Sequence, residues 1–175
     1  MSHYLRHLVR RVRQNHGLEH ATITLLMQRH RHLALVAGRS NHRGFFVYGD
    51  VDTDALAQAA QTALARLQQG DAHLAIHPNC GTNLVTMGAL SGAAALLTAA
   101  VGQRHRLSWL DQFPVVVLSS VLALVVGRPL GMALQRHVTT SADAGNLRLG
   151  AISRWQLGRL KVHFVRVEET AEAAQ

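Results

Sequence analysis

Residues 81–103 read GTNLVTMGALSGAAALLTAAVGQ, 23 positions without one ionisable side chain. At about 1.5 Å per helical residue such a run covers the roughly 30 Å hydrocarbon core of a bilayer, and a transmembrane helix is predicted. The next apolar run, Phe113 to Gly127, holds 15 residues before Arg128 and Pro129, short of the roughly 20 that a span needs. The second span must therefore continue through Pro129 to Leu134, which carries Arg128 within it. A long guanidinium side chain near the end of a span can snorkel to the head groups, or face the helix pair and meet a polar partner. Gly88-x-x-x-Gly92 in the first span permits close helix packing, against the neighbouring helix or against a second copy in a homo-oligomer or larger membrane complex.

Composition agrees with a membrane protein, since 48% hydrophobic and 16% charged residues depart from ordinary soluble usage in that direction. Arginine sets the orientation, because basic residues close to a span are retained in the cytoplasm. Arg6, Arg10, Arg11, Arg13, Arg29, Arg31, Arg39 and Arg43 precede the spans, whereas the loop QRHRLSWLDQ between them holds Arg104 and Arg106 beside Asp111. Both termini are expected on the cytoplasmic side of the inner membrane. The formal charge of +8 would suggest a nucleic-acid partner in a soluble domain. No basic stretch interleaved with aromatics is present, so the lipid bilayer is the expected partner and nucleic acid is not. The single cysteine, Cys80, excludes an internal disulfide, and the basic N-terminus lacks the apolar segment of a signal peptide.

These features predict an α+β membrane protein in four parts. Residues 1–32 form an amphipathic helix, its apolar stripe made of Leu5, Leu8, Val9, Val12, Ile23 and Met27. Residues 33–80 form a small cytoplasmic α+β unit. Within it LALVAG and GFFVYG, separated by RSNHR, read as a hairpin, and Asp52-Thr53 caps a helix that stops at Gly70. Ala72 to Ile76 reads as a returning strand. Asp50-x-Asp52-x-Asp54 resembles the start of a calcium loop without the glycine or later ligands that loop needs, and helix-start chemistry accounts for it. Residues 81–135 form the transmembrane helical hairpin. Residues 136–175 form a cytoplasmic C-terminal β segment, with turns near Ser153 and Gly158 and a frayed tail.

The chemistry concentrates in two short stretches. His16-Gly17-Leu18-Glu19-His20 is expected about 0.02 times by chance in a chain of this composition. Its two histidines, one helical turn apart, share a face and can reach one ion. His77-Pro78-Asn79-Cys80 offers two more zinc-type ligands on a turn. His16, His20, His77 and Cys80 are therefore the candidate ligands for zinc or another divalent transition metal, and a lone cysteine can equally be a small buried hydrophobe. Glu19 is the candidate catalytic residue. With three protein ligands and a water it could act as general base; with four ligands the site is structural and Glu19 orients a histidine. His-x-x-Glu-His is also the inverted pattern of one metallopeptidase class, but that class needs a downstream acidic ligand and no Glu follows before Glu168.

HGLEH followed by HPNCGTN at the head of a span resembles the YqhQ-like family of uncharacterised bacterial membrane proteins. The matching residues are His16, Gly17, Glu19, His20, His77, Pro78, Cys80, Gly81 and Thr82. The resemblance implies a metal-dependent membrane protein and supplies no reaction. Ala21, the missing glycine-rich N-terminal segment and the longer insert depart from that family's pattern. Two functions follow from the residues: a cytoplasm-facing metal-dependent hydrolase, or a non-enzymatic scaffold or assembly factor stapled by a structural metal.

Overall fold

The computed structural model describes residues 3–30, 36–158 and 160–170. Leu33 to Leu35 of the expected first strand and the tail beyond Thr170 lie outside these residues. The fold is α+β, with four helices and a four-stranded antiparallel sheet. The chain divides into two compact units, one of residues 1–77 with 139–175 and the other of residues 78–138.

In the first unit, α1 (His3–Arg29), β1 (Ala37–Asn41), β2 (Gly44–Tyr48) and α2 (Thr53–Gln68) are joined later in the chain by β3 (Leu147–Leu157) and β4 (Leu160–Glu169). The strand order is β1-β2-β4-β3, so segments from either side of the apolar helices in sequence share one sheet. The expected hairpin forms, but RSN lies within β1 and the turn is tighter, at His42 and Arg43. Asp52 caps α2, its carboxylate accepting from the Asp54 and Ala55 backbone N–H groups, and those bonds hold its pKa below the ordinary value. Gly70 stops the helix at φ +91°, a conformation open to glycine. Two strand expectations are corrected. Ala72–Ala75 is a 3-10 turn, where the apolar run AHLAI covers the core through Leu74 and Ala75 rather than pairing. Ser153 lies inside β3, and the irregularity there is a register shift between Leu149 and Ile152, which leaves Gly158 as the hairpin turn.

Alternation along β2 and β4 sends Phe45, Val47, Val165 and Val167 into a core with Leu18, Leu25 and Leu26 of α1 and Leu56, Ala60 and Ala63 of α2. Phe46, Tyr48, Trp155 and Phe164 form ring contacts with Phe46 at their centre. The inward stripe of α1 differs from the one expected. Of the six expected positions Ile23 is buried and Leu8 half-buried, whereas Leu5, Val9, Val12 and Met27 are exposed and Arg11, Gln14, Asn15, Leu18, Thr22 and Leu26 take the inward face. The reason is polar: Asn15 Nδ2 donates to the Asn41 carbonyl (2.7 Å) and Arg11 Nη2 to that of Val167 (2.7 Å). Buried carbonyls need donors, and here long polar side chains supply them from a helix face that an apolar count passes over.

The second unit is a helical hairpin of α3 (Gly81–Arg104) and α4 (Trp109–Leu134), closed by a π-helical turn at Gln135–Thr139. Both helices are long and apolar enough, by length and composition, to cross a membrane. α4 does run through Pro129, and Leu96, Leu97, Leu118, Leu122 and Val125 are exposed. The side chain of Arg128 is exposed too; the residues of α4 turned into the pair are Gly127 and Gly131. A Cβ on Gly127 would lie 3.0 Å from Met87 Cα, and one on Gly131 2.9 Å from Asn83 Cα. A Cβ on Gly88 or Gly92 meets nothing within 4 Å, so close packing inside the hairpin belongs to Gly127-x-x-x-Gly131. Thr98 Oγ1 donates to Ser119 Oγ across the pair at 2.9 Å. Gly131→Leu is expected to cost about 1–3 kcal/mol through overpacking against backbone, and Gly88→Leu close to none; thermal unfolding in detergent micelles measures both.

Candidate metal centre

α1 continues without a break through Asn15-His16-Gly17, although an interior glycine costs about 1 kcal/mol relative to alanine. The backbone of residues 139–141 explains it. A Cβ on Gly17 would overlap the Ser141 carbonyl oxygen and come 3.1 Å from its carbon, and the Ser141 N–H donates to the Arg13 carbonyl at 2.9 Å. The segment therefore crosses α1 at the one position without a side chain.

That crossing orients the first histidine. His16 Nδ1 lies 2.9 Å from the Thr139 carbonyl oxygen. One turn on, buried His20 places Nδ1 2.8 Å from the Ala75 carbonyl, at the end of the 3-10 turn. A carbonyl only accepts, so both Nδ1 atoms carry a proton, which leaves Nε2 as the nitrogen each ring can offer an ion. This is how metal-binding histidines are ordinarily oriented, by a hydrogen bond on the opposite nitrogen. The two rings meet edge to face with centroids 4.4 Å apart, and the His77 ring lies 6.2 Å from that of His20.

His77 is joined through Pro78 and Asn79 to Cys80, which caps α3 with Sγ accepting from the Thr82 N–H at 3.4 Å. Within the first unit the rings of His16, His20 and His77 thus lie side by side, while Cys80 opens the second unit. Glu19 is the one buried carboxylate among the described residues, and it sits against Gly38 of β1, where an added Cβ would overlap its Oε1. Gly38 was not singled out by the sequence: a glycine in a strand shows its purpose only when the opposite side chain is known. Ala75 and Thr139 contribute backbone oxygens, for which side-chain identity carries no signal.

A different histidine shows what a structural one looks like. His163 of β4 is fully buried, Nε2 sits 3.0 Å from Thr53 Oγ1, and burial lowers its pKa from 6.5. A depressed value means that the unfolded chain takes up the proton first. Stability is thus kept above about pH 6.5 and lost as pH falls from there towards the lower folded value. Urea midpoints measured at pH 7.5 and 5.5 are expected to fall on acidification in the wild type and to fall less in His163→Gln.

A family model described as a domain of unknown function (DUF6391) matches residues 11–152. An uncharacterized protein of Picosynechococcus sp. is 36% identical over 144 residues, covering 74% of this chain and 66% of its own length, so the chain spans slightly under two thirds of that relative. No solved structure matches. These likenesses point to an uncharacterised family with a bacterial member; they carry neither the YqhQ-like kinship nor metal dependence.

Proposed function

The chain belongs to the DUF6391 family, and from that premise we propose that it is an inner-membrane protein that holds one zinc-type divalent ion at His16 and His20, with His77 and Cys80 of the HPNC stretch as its candidate further ligands. The observation that carries the reading is the pair of Nδ1-to-carbonyl bonds, which turns two adjacent imidazoles into ligands of defined tautomer. Two imidazoles and a thiolate are a donor set zinc favours. The finer kinship to YqhQ-like proteins stays within this proposal, supported by HGLEH and HPNCGT. Both termini are placed in the cytoplasm, supported by the arginines that precede α3 and their scarcity between the spans.

With three protein ligands the fourth position takes water or substrate, the arrangement of hydrolytic sites, and a bound ion would supply Lewis-acid and water-activating chemistry. Glu19, buried and lying between the two histidines in sequence, is then the group for proton transfer or for orienting the site. The second reading, a structural staple in a scaffold or assembly factor, is favoured by the nearness of His77 to His20, since a fourth protein ligand closes the site. Elemental analysis of the full-length protein purified without chelators tests the metal, with about one equivalent per chain expected and none sinking the proposal. Adding azide to the cobalt-substituted protein separates the two readings: a shifted visible spectrum marks an open position, an unchanged one a closed site.

A further inference from the structure

The first half of α1 carries a surface that the metal site does not use. Tyr4, Leu5, Val9 and Val12 are 71%, 45%, 45% and 37% exposed. At 100° per residue, Leu5, Val9 and Val12 share an arc of about 60°, and Arg6, Arg10 and Arg13 share the adjoining one. Arg6, Val9, Arg10 and Arg13 line a cleft of about 220 Å³ with Ser141. Arg10 Nη2 donates to Glu169 at 3.1 Å and Arg13 Nη2 to the Thr140 carbonyl at 3.2 Å, which holds both side chains at the rim. The carboxylate of Glu169 is already shared with His7 (2.9 Å) and Arg11 (3.9 Å), so the rim keeps an excess of positive charge.

We infer that this half of α1 lies on an anionic membrane surface. A lipid phosphodiester enters the arginine cleft, where guanidinium and hydroxyl groups match its oxygens. Val9, Val12, Leu5 and the Tyr4 ring enter the boundary between head groups and acyl chains. Charge complementarity selects lipid over another protein copy, because a second α1 would bring the same arginines face to face. The inference rests on the membrane reading above and is independent of the metal.

Phosphatidylglycerol and phosphatidylcholine, each doped into micelles of the full-length protein, provide the test, with lipid retention read by native mass spectrometry. Phosphatidylglycerol should be retained preferentially. Arg6→Gln with Arg10→Gln should weaken its retention by roughly 25-fold, about fivefold for each charge, and Arg6→Gln alone carries the test if the double variant unfolds. Leu5→Ser with Val12→Ser, neither of which lines the cleft, should weaken lipid retention while leaving the affinity for inorganic phosphate unchanged. Equal retention of the two lipids, or arginine variants that behave as wild type, would overturn the inference. So would lipid retention that the Leu5 and Val12 changes leave untouched, which marks a site for the phosphate alone. Metal content measured on the same samples should not change; its loss in the wild type would count against the proposed function and not against this one.

Discussion

Replacing His20 by alanine is expected to lower the affinity of the purified protein for zinc by more than about 100-fold, the upper end of what losing even an outer partner of a ligand costs. His20 is buried, its ring is oriented by the Ala75 carbonyl and it neighbours His16 at 4.4 Å, so the change removes an imidazole already held in a ligand's orientation. His16→Ala should behave alike. His7→Ala, which removes a half-buried histidine bonded to Glu169, should leave the metal untouched. Competition against a chromophoric chelator gives the Kd values. Zinc at 100 times Kd should also stabilise the wild type by about 2.7 kcal/mol and the His20 variant hardly at all. Unchanged affinity in His20→Ala would remove the histidine pair from the site.

Gly17→Ala should destabilise by about 1–3 kcal/mol, although the same change inside an unobstructed helix stabilises by about 1 kcal/mol. The sign reverses because the added methyl group would overlap the Ser141 carbonyl, a backbone atom tied to α1 through the Arg13 carbonyl. Pushing residues 139–141 aside also withdraws the Thr139 oxygen from His16, so zinc affinity should fall by about 10–100-fold. Gly92→Ala, in a helix with nothing within 4 Å of the new Cβ, is the control that should follow helix propensity. Melting temperatures and zinc titrations of the two variants decide the matter; a stabilised Gly17→Ala with normal zinc binding would contradict this account of the crossing.

The histidine pair was legible. The rarity of HGLEH pointed to His16 and His20, whose rings meet because helix geometry alone puts residues one turn apart on one face, while the HPNC turn pointed to His77 and Cys80. The His77 ring stands 6.2 Å from that of His20, a placement that no local spacing marks. Glu19 sits against Gly38, a placement set by a strand that follows it by some twenty residues. The α1 stripe misled for a physical reason. Counting apolar residues finds the core only when the core asks for nothing else, and this one asks Arg11 and Asn15 for hydrogen bonds.

What the sequence by itself determined are the features whose physics is local. An uncharged run of 23 residues makes a long apolar helix whatever surrounds it, Asp52 and Gly70 bound α2 through their own backbone chemistry, and His16 and His20 share a face because a helix has 3.6 residues per turn. Tertiary structure alone decided which glycines are contacts, Gly127 and Gly131 rather than Gly88 and Gly92. It also joined β2 to β4 across more than a hundred residues, and brought the Ala75 and Thr139 carbonyls to the two histidines. Those choices depend on backbone atoms far apart in the chain, and backbone atoms are the same in every residue, so nothing in the letters marks them before the chain has folded.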